Sequence, residues 1–179
     1  MSEAELLNRR SVYKGRVVDL SVDRVKMPNG KTTELEVIRH PGAAAMVPLT
    51  KSGDVLLVRQ YRYATGGWLL EVPAGKLDDG EAPEVCAARE LEEEVGMKPA
   101  ELVPLGWIWT TPGFTDEKIW LYLCRGLSPA QQDLQEDEVL TVESSSLPEA
   151  IEMVHRGEIC DGKSVCALLR ADAYLRGED

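Results

Sequence analysis

Residues 75–97 read GKLDDGEAPEVCAARELEEEVGM, and within them Glu90, Glu92, Glu93 and Glu94 put four carboxylates into five consecutive positions. From Pro83 to Val95 the apolar residues Val85, Ala88, Leu91 and Val95 recur at helical spacing and predict one buried stripe. Pro83 suits a first helical turn, and Gly96 suits the position just past the last. At about 100° per residue, Glu90 and Glu94 lie about 40° apart and one turn displaced, with Glu93 beside them. Three carboxylates therefore converge close to the apolar stripe.

Two readings compete. A run of charge on a helix is usually a solvated face, and an exposed like-charge pair costs only about 0.2–0.5 kcal/mol. Partly buried, the same pair about 6 Å apart repels by roughly 3 kcal/mol at an effective dielectric near 20, and a cation is strongly favoured. Carboxylates clustered on a rigid helix suit hard divalent ions with oxygen ligands, Mg²⁺ or Mn²⁺.

The spacing decides between them. Gly75 is followed after five residues by Glu81, after seven more by Arg89-Glu90-Leu91, then by Glu93-Glu94 and by Gly96-Met97 with one residue before each. Seven fixed identities at a usage near 7% each meet by chance with a probability on the order of 10⁻⁸ per window. The pattern resembles the complete Nudix box, G-x5-E-x7-R-E-U-x-E-E-x-G-U, with U aliphatic. Its physical sense is a loop, a helix and a loop. Gly75 allows a tight backbone turn that can aim the Ala74 carbonyl at a metal, Glu81 can hold the loop, and Arg89 can orient the crowded glutamates. The resemblance implies that Glu90 and Glu94 bind divalent cations, with Ala74 and Glu138 as further ligands and Glu93 close by.

From about Tyr13 to Leu175 the chain resembles the ADP-ribose pyrophosphatase branch of that family. The matching stretches are IRHPGAAAMVPL, LLVRQYR, LLEVPAGKLDDGE, TTPGFTDE, QEDE and RGEICDGKSVCALL. Pro112, sixteen residues beyond Gly96, marks the ADP-ribose subgroup. The resemblance implies hydrolysis of a diphosphate, ADP-ribose giving AMP and ribose 5-phosphate. It assigns substrate contacts to Arg62, Glu36, Pro112 and Gly113, and catalytic work to Arg89, Glu93, Glu94, Glu136 and Glu138. Members differ in which residue takes the proton, a box glutamate such as Glu94 or a glutamate of the late acidic loop that holds Glu136, Asp137 and Glu138. Arg59 is a weaker phosphate candidate than Arg62, and Trp68, Trp107, Trp109 and Trp120 are candidates for stacking on a base. One departure is Glu34, two positions before Glu36, where some relatives carry a basic residue. The alternatives are a GDP-mannose or other nucleotide-sugar pyrophosphatase, an ADP-ribose sensor without catalysis, and an acidic interaction domain.

Composition agrees with a small-molecule enzyme. The chain has 179 residues, 44% hydrophobic and 28% charged, which suits one globular domain with a small appendage. A net charge of −11 argues against broad binding to nucleic acid or anionic membrane, and phosphate binding then needs intervening cations. Cys86, Cys124, Cys160 and Cys166 form no C-x-x-C pair and only His40 and His155 accompany them, which argues against zinc. They read as reduced, mostly buried thiols. With no apolar stretch of membrane-spanning length, a cytoplasmic protein is expected.

The expected fold is an α/β (α+β) Nudix sandwich of α/β/α layers with a mixed sheet, preceded by an N-terminal antiparallel hairpin. The pattern predicts residues 1–41 as an N-terminal segment and hairpin, and 42–179 as the Nudix domain. Within the first, 1–12 reads as a short helix or tail and 16–40 as a hairpin around Asn29-Gly30. Strands are predicted over 43–50 and 55–62 as a pair, and over 68–73, 103–111, 118–124 and 139–144. Ser146 to Glu149 has capping-box spacing before one helix, which Gly157 ends, and a last helix carries Val165, Leu168, Leu169 and Ala173. In the branch it resembles, N-terminal strands exchange between subunits, so a homodimer is implied.

Overall fold

The computed structural model describes residues 3–136 and 138–177, and the chain divides into two units. One comprises the residues up to Gly42 together with Trp109–Lys118; the other runs from Ala43 to Ile108 and from Ile119 onward.

In the first unit β1 (Glu5–Lys14), β2 (Asp19–Lys26) and β3 (Thr32–Arg39) form an antiparallel sheet in that order. The β2–β3 turn is the predicted one. Gly30 takes φ 80°, which costs a residue without Cβ little, and the Asn29 side chain accepts from the Lys31 amide at 3.0 Å. On β2 the alternation buries Ser21, Asp23 and Val25. Asp23 accepts from Arg9 Nε and Nη2 at 2.8 Å each, from Arg39 Nη2 at 2.6 Å and from the Ser21 hydroxyl at 2.9 Å. Those donors, Arg9 foremost, hold its carboxyl down at about 2.

The helix or tail expected over 1–12 is instead strand β1, with Met1 and Ser2 outside the described residues. Register shifts between Leu6 and Asn8 and between Ser11 and Tyr13 break its alternation, so its order comes from the ladder to β2 and the Arg9–Asp23 pair. The 110–117 loop joins β3 in the same unit: the Ile38 amide donates to Phe114 O at 2.8 Å, and Arg39 Nη1 donates to Asp116 at 2.9 Å.

The second unit holds two larger sheets. Strands β4 (Ala43–Pro48), β7 (Ala74–Lys76), β9 (Glu101–Trp109) and β10 (Lys118–Arg125) make a mixed sheet in the order β7-β4-β10-β9, with β4 parallel to β10 and antiparallel to β7. Strands β5 (Asp54–Arg62), β6 (Gly67–Glu71) and β12 (Leu140–Ser146) make an antiparallel sheet around β5. The short β8 (Met97–Lys98) pairs with β11 (Ser128–Pro129). Three helices follow the sequence reading: α1 (Pro83–Val95), α2 (Leu147–His155) and α3 (Gly162–Arg176). Ser146 caps α2 by accepting from the Glu149 amide at 3.3 Å.

Layering follows from β4, which is buried on both faces. Ala43, Ala45 and Val47 join the cluster that includes Leu121, Leu123, Ala150 of α2 and Leu168 of α3, while Ala44 and Met46 join Cys86 and Leu91 of α1. Three alanines keep both helical layers close. A run buried on both sides suits parallel pairing, and this corrects the predicted pairing of 43–50 with 55–62. The two strands belong to different sheets, and the turn between them is closed by an isolated Leu49–Val55 bridge and by the Thr50 amide donating to Asp54 O at 2.8 Å.

Two other expectations change. Val85 is 55% exposed, and the buried face of α1 consists of Cys86, Ala87, Leu91 and Val95 together with Glu90 and Glu94. All four cysteines are free, but only Cys86 and Cys124 are buried; Cys160 is exposed and Cys166 intermediate.

Candidate active site

The short strand β7 delivers Gly75 against α1. A Cβ at Gly75 would stand 1.8 Å from Cδ of Glu90, so only glycine leaves room for that carboxylate. Gly75 is not among the glycines with positive φ, and its requirement here is space rather than a special backbone conformation. Next to it the Ala74 amide donates to Glu94 Oε2 at 3.0 Å. Glu90 and Glu94 are 5% and 2% exposed. Burial, then the repulsion of Glu90, pushes Glu94 up to about 8, and burial also raises Glu90.

Arg89 ties this corner together. Its Nη1 donates to Glu90 at 2.7 Å and to Glu93 at 3.1 Å, Nε and Nη2 each reach Glu81 at 2.9 Å, and Nη2 also reaches the Lys76 carbonyl at 3.2 Å. Glu81 accepts the Asp78 amide as well, at 3.0 Å, and Arg89 holds its carboxyl down at about 2. One guanidinium thus orients two glutamates of the helix and closes the loop that precedes it. Beside it a cavity of about 380 Å³ is lined by Arg89, Glu92, Glu93, Gln131 and Asp133, too acidic to seat a phosphate unaided.

The late acidic loop is hydrogen-bonded along the C-terminal end of α1. Ala130 N donates to Gly96 O at 2.8 Å, Asp133 N to Glu93 O at 3.0 Å, and Gln132 Nε2 to Glu94 O at 2.6 Å. Glu138 is partly buried, adds to the negative field on Glu90 and Glu94, and accepts from the Gln135 amide at 3.0 Å. Glu136 is exposed, and Asp137 lies outside the described residues.

Among the described residues, no three acidic, histidine or cysteine side chains are arranged to hold an ion directly. Glu90 is turned to Arg89 and Glu138 to its own loop. The donors nonetheless fit a hard divalent cation. All are oxygens, and Glu94 is destabilised as an anion by burial and by a neighbouring carboxylate, the strain that a cation relieves.

Arg62 ends β5 and is engaged with Glu71 at the end of β6, through Nε at 3.3 Å and Nη2 at 2.8 Å. Glu94 lies within its electrostatic reach. Arg59 is committed to Glu143 across the β5–β12 ladder. Glu36 and Glu34 are exposed on β3, and Pro112 and Gly113 are exposed in the 110–117 loop; all four belong to the other unit. Trp68, Trp107 and Trp109 are 50%, 44% and 48% exposed, so they serve no core, whereas Trp120 packs on the α1 cluster. The sequence reading missed Glu71 and its second cation, Lys163, although an acid inside the apolar run WLLEVP was a signal: a buried carboxylate needs partners.

Comparison with known proteins adds four likenesses. The NUDIX domain model matches residues 39–168. The chain is 37% identical over 168 residues to the ADP-ribose pyrophosphatase of Bacillus subtilis (strain 168), covering 93% of this chain and 91% of that protein. It is 40% identical over 168 residues, with the same coverage, to the methanol dehydrogenase activator of Bacillus methanolicus. A crystal structure of an ADP compounds hydrolase superposes with a TM-score of 0.88 at 24% identity, covering 99% of this chain and 97% of that one.

Proposed function

The chain belongs to the Nudix family and is a Nudix hydrolase, and on that premise we propose that it cleaves the diphosphate of ADP-ribose to AMP and ribose 5-phosphate with Mg²⁺ or Mn²⁺ as cofactor. The substrate reading rests on its likeness to an ADP-ribose pyrophosphatase along 93% of its length. The observation that carries the catalytic reading is the buried pair Glu90 and Glu94, the first given room by Gly75 and held by Arg89, the second held by the Ala74 amide.

Glu90, Glu94, Glu138 and the Ala74 carbonyl are the groups that would hold the cation. When bound, it supplies Lewis-acid neutralisation of the diphosphate oxygens and lowers the pKa of water. Arg62 binds a phosphate oxygen with the guanidinium edge that Glu71 does not use. Arg89 keeps Glu90 and Glu93 from swinging into solvent, so their charge is fixed before substrate arrives. The proton of the attacking water passes to a carboxylate oxygen of Glu94 or of Glu138, with Glu93 and Glu136 orienting the water. Glu36, Pro112 and Gly113 are assigned to the substrate by the family resemblance alone. The working state is a homodimer built on the exposed β1 strand, with residues 1–41 exchanged between copies. Four free cysteines suit a reducing compartment, the cytoplasm, and no helix among the described residues is long and apolar enough to cross a membrane.

The test is a panel of ADP-ribose, GDP-mannose and other nucleoside diphosphate sugars, assayed with Mg²⁺, Mn²⁺ or EDTA through phosphatase-coupled phosphate release. ADP-ribose should have the highest kcat/KM, with AMP and ribose 5-phosphate as products and no turnover in EDTA. Preference for GDP-mannose would move the assignment to the alternative that Glu34, exposed on β3, leaves open.

A further inference from the structure

Glu71 is 2% exposed and accepts from two cations at once. Arg62 donates through Nε and Nη2, and Lys163 Nζ donates to Oε2 at 2.7 Å, the same oxygen that Arg62 Nη2 reaches at 2.8 Å. Lys163 also donates to Asp161 Oδ2 at 2.8 Å. That oxygen accepts the Ser164 amide at 3.0 Å and the Ser164 hydroxyl at 2.6 Å, and Ser164 Oγ accepts from the Val72 amide at 2.9 Å. The bonds form a closed circuit from the end of β6 to the first turn of α3 and back. Asp161 caps α3, so the circuit is anchored in a helix end and not in a loop.

The circuit constrains the arginine. A carboxylate turns easily about its last side-chain bond, so one bonded only to Arg62 would let the guanidinium rock with it. Lys163 pins Oε2, and the planar guanidinium is then held along its Nε–Nη2 edge. Among the described residues nothing is bonded to Nη1, and the Arg62 side chain is 39% exposed. The edge left over is the one an anion can take. We propose that Lys163, acting through Glu71, is a positioning residue that fixes the Arg62 guanidinium for the diphosphate of the substrate. That Arg62 takes a phosphate, and which substrate carries it, rest on the reading proposed above; the circuit that holds the guanidinium does not.

The test compares Lys163→Met and Lys163→Arg in the full chain with Mg²⁺ present, in wild-type and Arg62→Ala backgrounds. Two readouts are used, ADP-ribose kinetics and calorimetric binding of inorganic pyrophosphate. Lys163→Met should raise the KM for ADP-ribose and the Kd for pyrophosphate about tenfold, with kcat lowered less than about threefold, and Lys163→Arg should recover most of the loss. With Arg62 already replaced by alanine, Lys163→Met should add less than about twofold, because the group it positions is gone. Unchanged KM and Kd, or a full tenfold loss on top of Arg62→Ala, overturns the proposal. Losing Lys163 leaves Glu71 buried with one cation fewer, so the paired change E71Q/K163M, which removes both charges, is measured alongside and carries the same expectation if Lys163→Met does not fold. Wild-type protein that ignores ADP-ribose but binds pyrophosphate in a Lys163-dependent way would overturn only the substrate reading. Pyrophosphate binding indifferent to Lys163 would overturn the positioning role whatever is hydrolysed.

Discussion

At the scale of single residues, the sharpest constraint is the space at Gly75. An added methyl would occupy the position of the Glu90 carboxyl, and the flexible acid must then turn away from Arg89. Gly75→Ala should lower kcat/KM about 100-fold, roughly 3 kcal/mol of transition-state stabilisation, with only a small fall in Tm. Retained activity would mean that Glu90 does not need its present seat. Glu94→Gln separates fold from chemistry in another way. The amide keeps the shape and removes a buried carboxylate that burial disfavours, so the metal-free protein should lose no stability. Wild-type protein at 100 times the Kd for Mn²⁺ should gain about 2.7 kcal/mol, and the variant should gain little while kcat falls at least about 100-fold. An equal thermal shift in both proteins would remove Glu94 from the cation site. Arg89 was legible in the sequence because its partners Glu81, Glu90 and Glu93 lie within eight residues. The pairing of Glu71 with Lys163 was not, since the two lie 92 residues apart and only the fold brings them together.

Among the elements, α1 was the easiest to read. Its proline start, its glycine end and the box within it all agree, and the structure has the same bounds, Pro83–Val95. Only the face was misjudged. Val85 had to give way to Cys86 and Ala87 because the two buried glutamates share the inward side, and periodicity counted over apolar residues alone cannot include them. Strand β1 was illegible for a related reason: its bulges break the two-residue period, and a salt link orders it. That link gives a prediction about the first sheet. The Asp23 carboxyl sits at about 2 in the folded protein against 3.8 for the free side chain, so its stabilisation is complete above pH 3.8 and is lost as pH falls toward 2. Asp23→Asn should cost about 1–3 kcal/mol at neutral pH, since Arg9 and Arg39 lose their shared acceptor. It should also flatten the acid limb of unfolding followed by amide exchange in β1 and β2. An acid limb identical to that of the wild type would show that Asp23 does not set it.

For the whole molecule, the exposed apolar surface of the first sheet is the feature that a single copy leaves unexplained. β1 is exposed along all ten residues, with Leu6 at 51%, Leu7 at 46%, Val12 at 48% and Tyr13 at 59%. An uncovered edge strand carrying that much apolar surface invites pairing, and a symmetric dimer is the commonest way to close it. A net charge of −11 per chain opposes association at long range, so the contact must be held by apolar burial and ladder hydrogen bonds at short range. A stable contact of this kind buries about 1,600 Å², more than four side chains supply, which requires the strand itself and its neighbours to take part. Light scattering at micromolar concentration should therefore give twice the 19.8 kDa of one chain. Leu6→Glu with Val12→Glu should shift the protein to monomer, and added salt should strengthen the wild-type dimer by screening its like charges. A wild-type chain that stays monomeric up to 100 times that concentration would end the dimer reading, and with it the exchange of residues 1–41, while leaving the glutamate corner around α1 untouched.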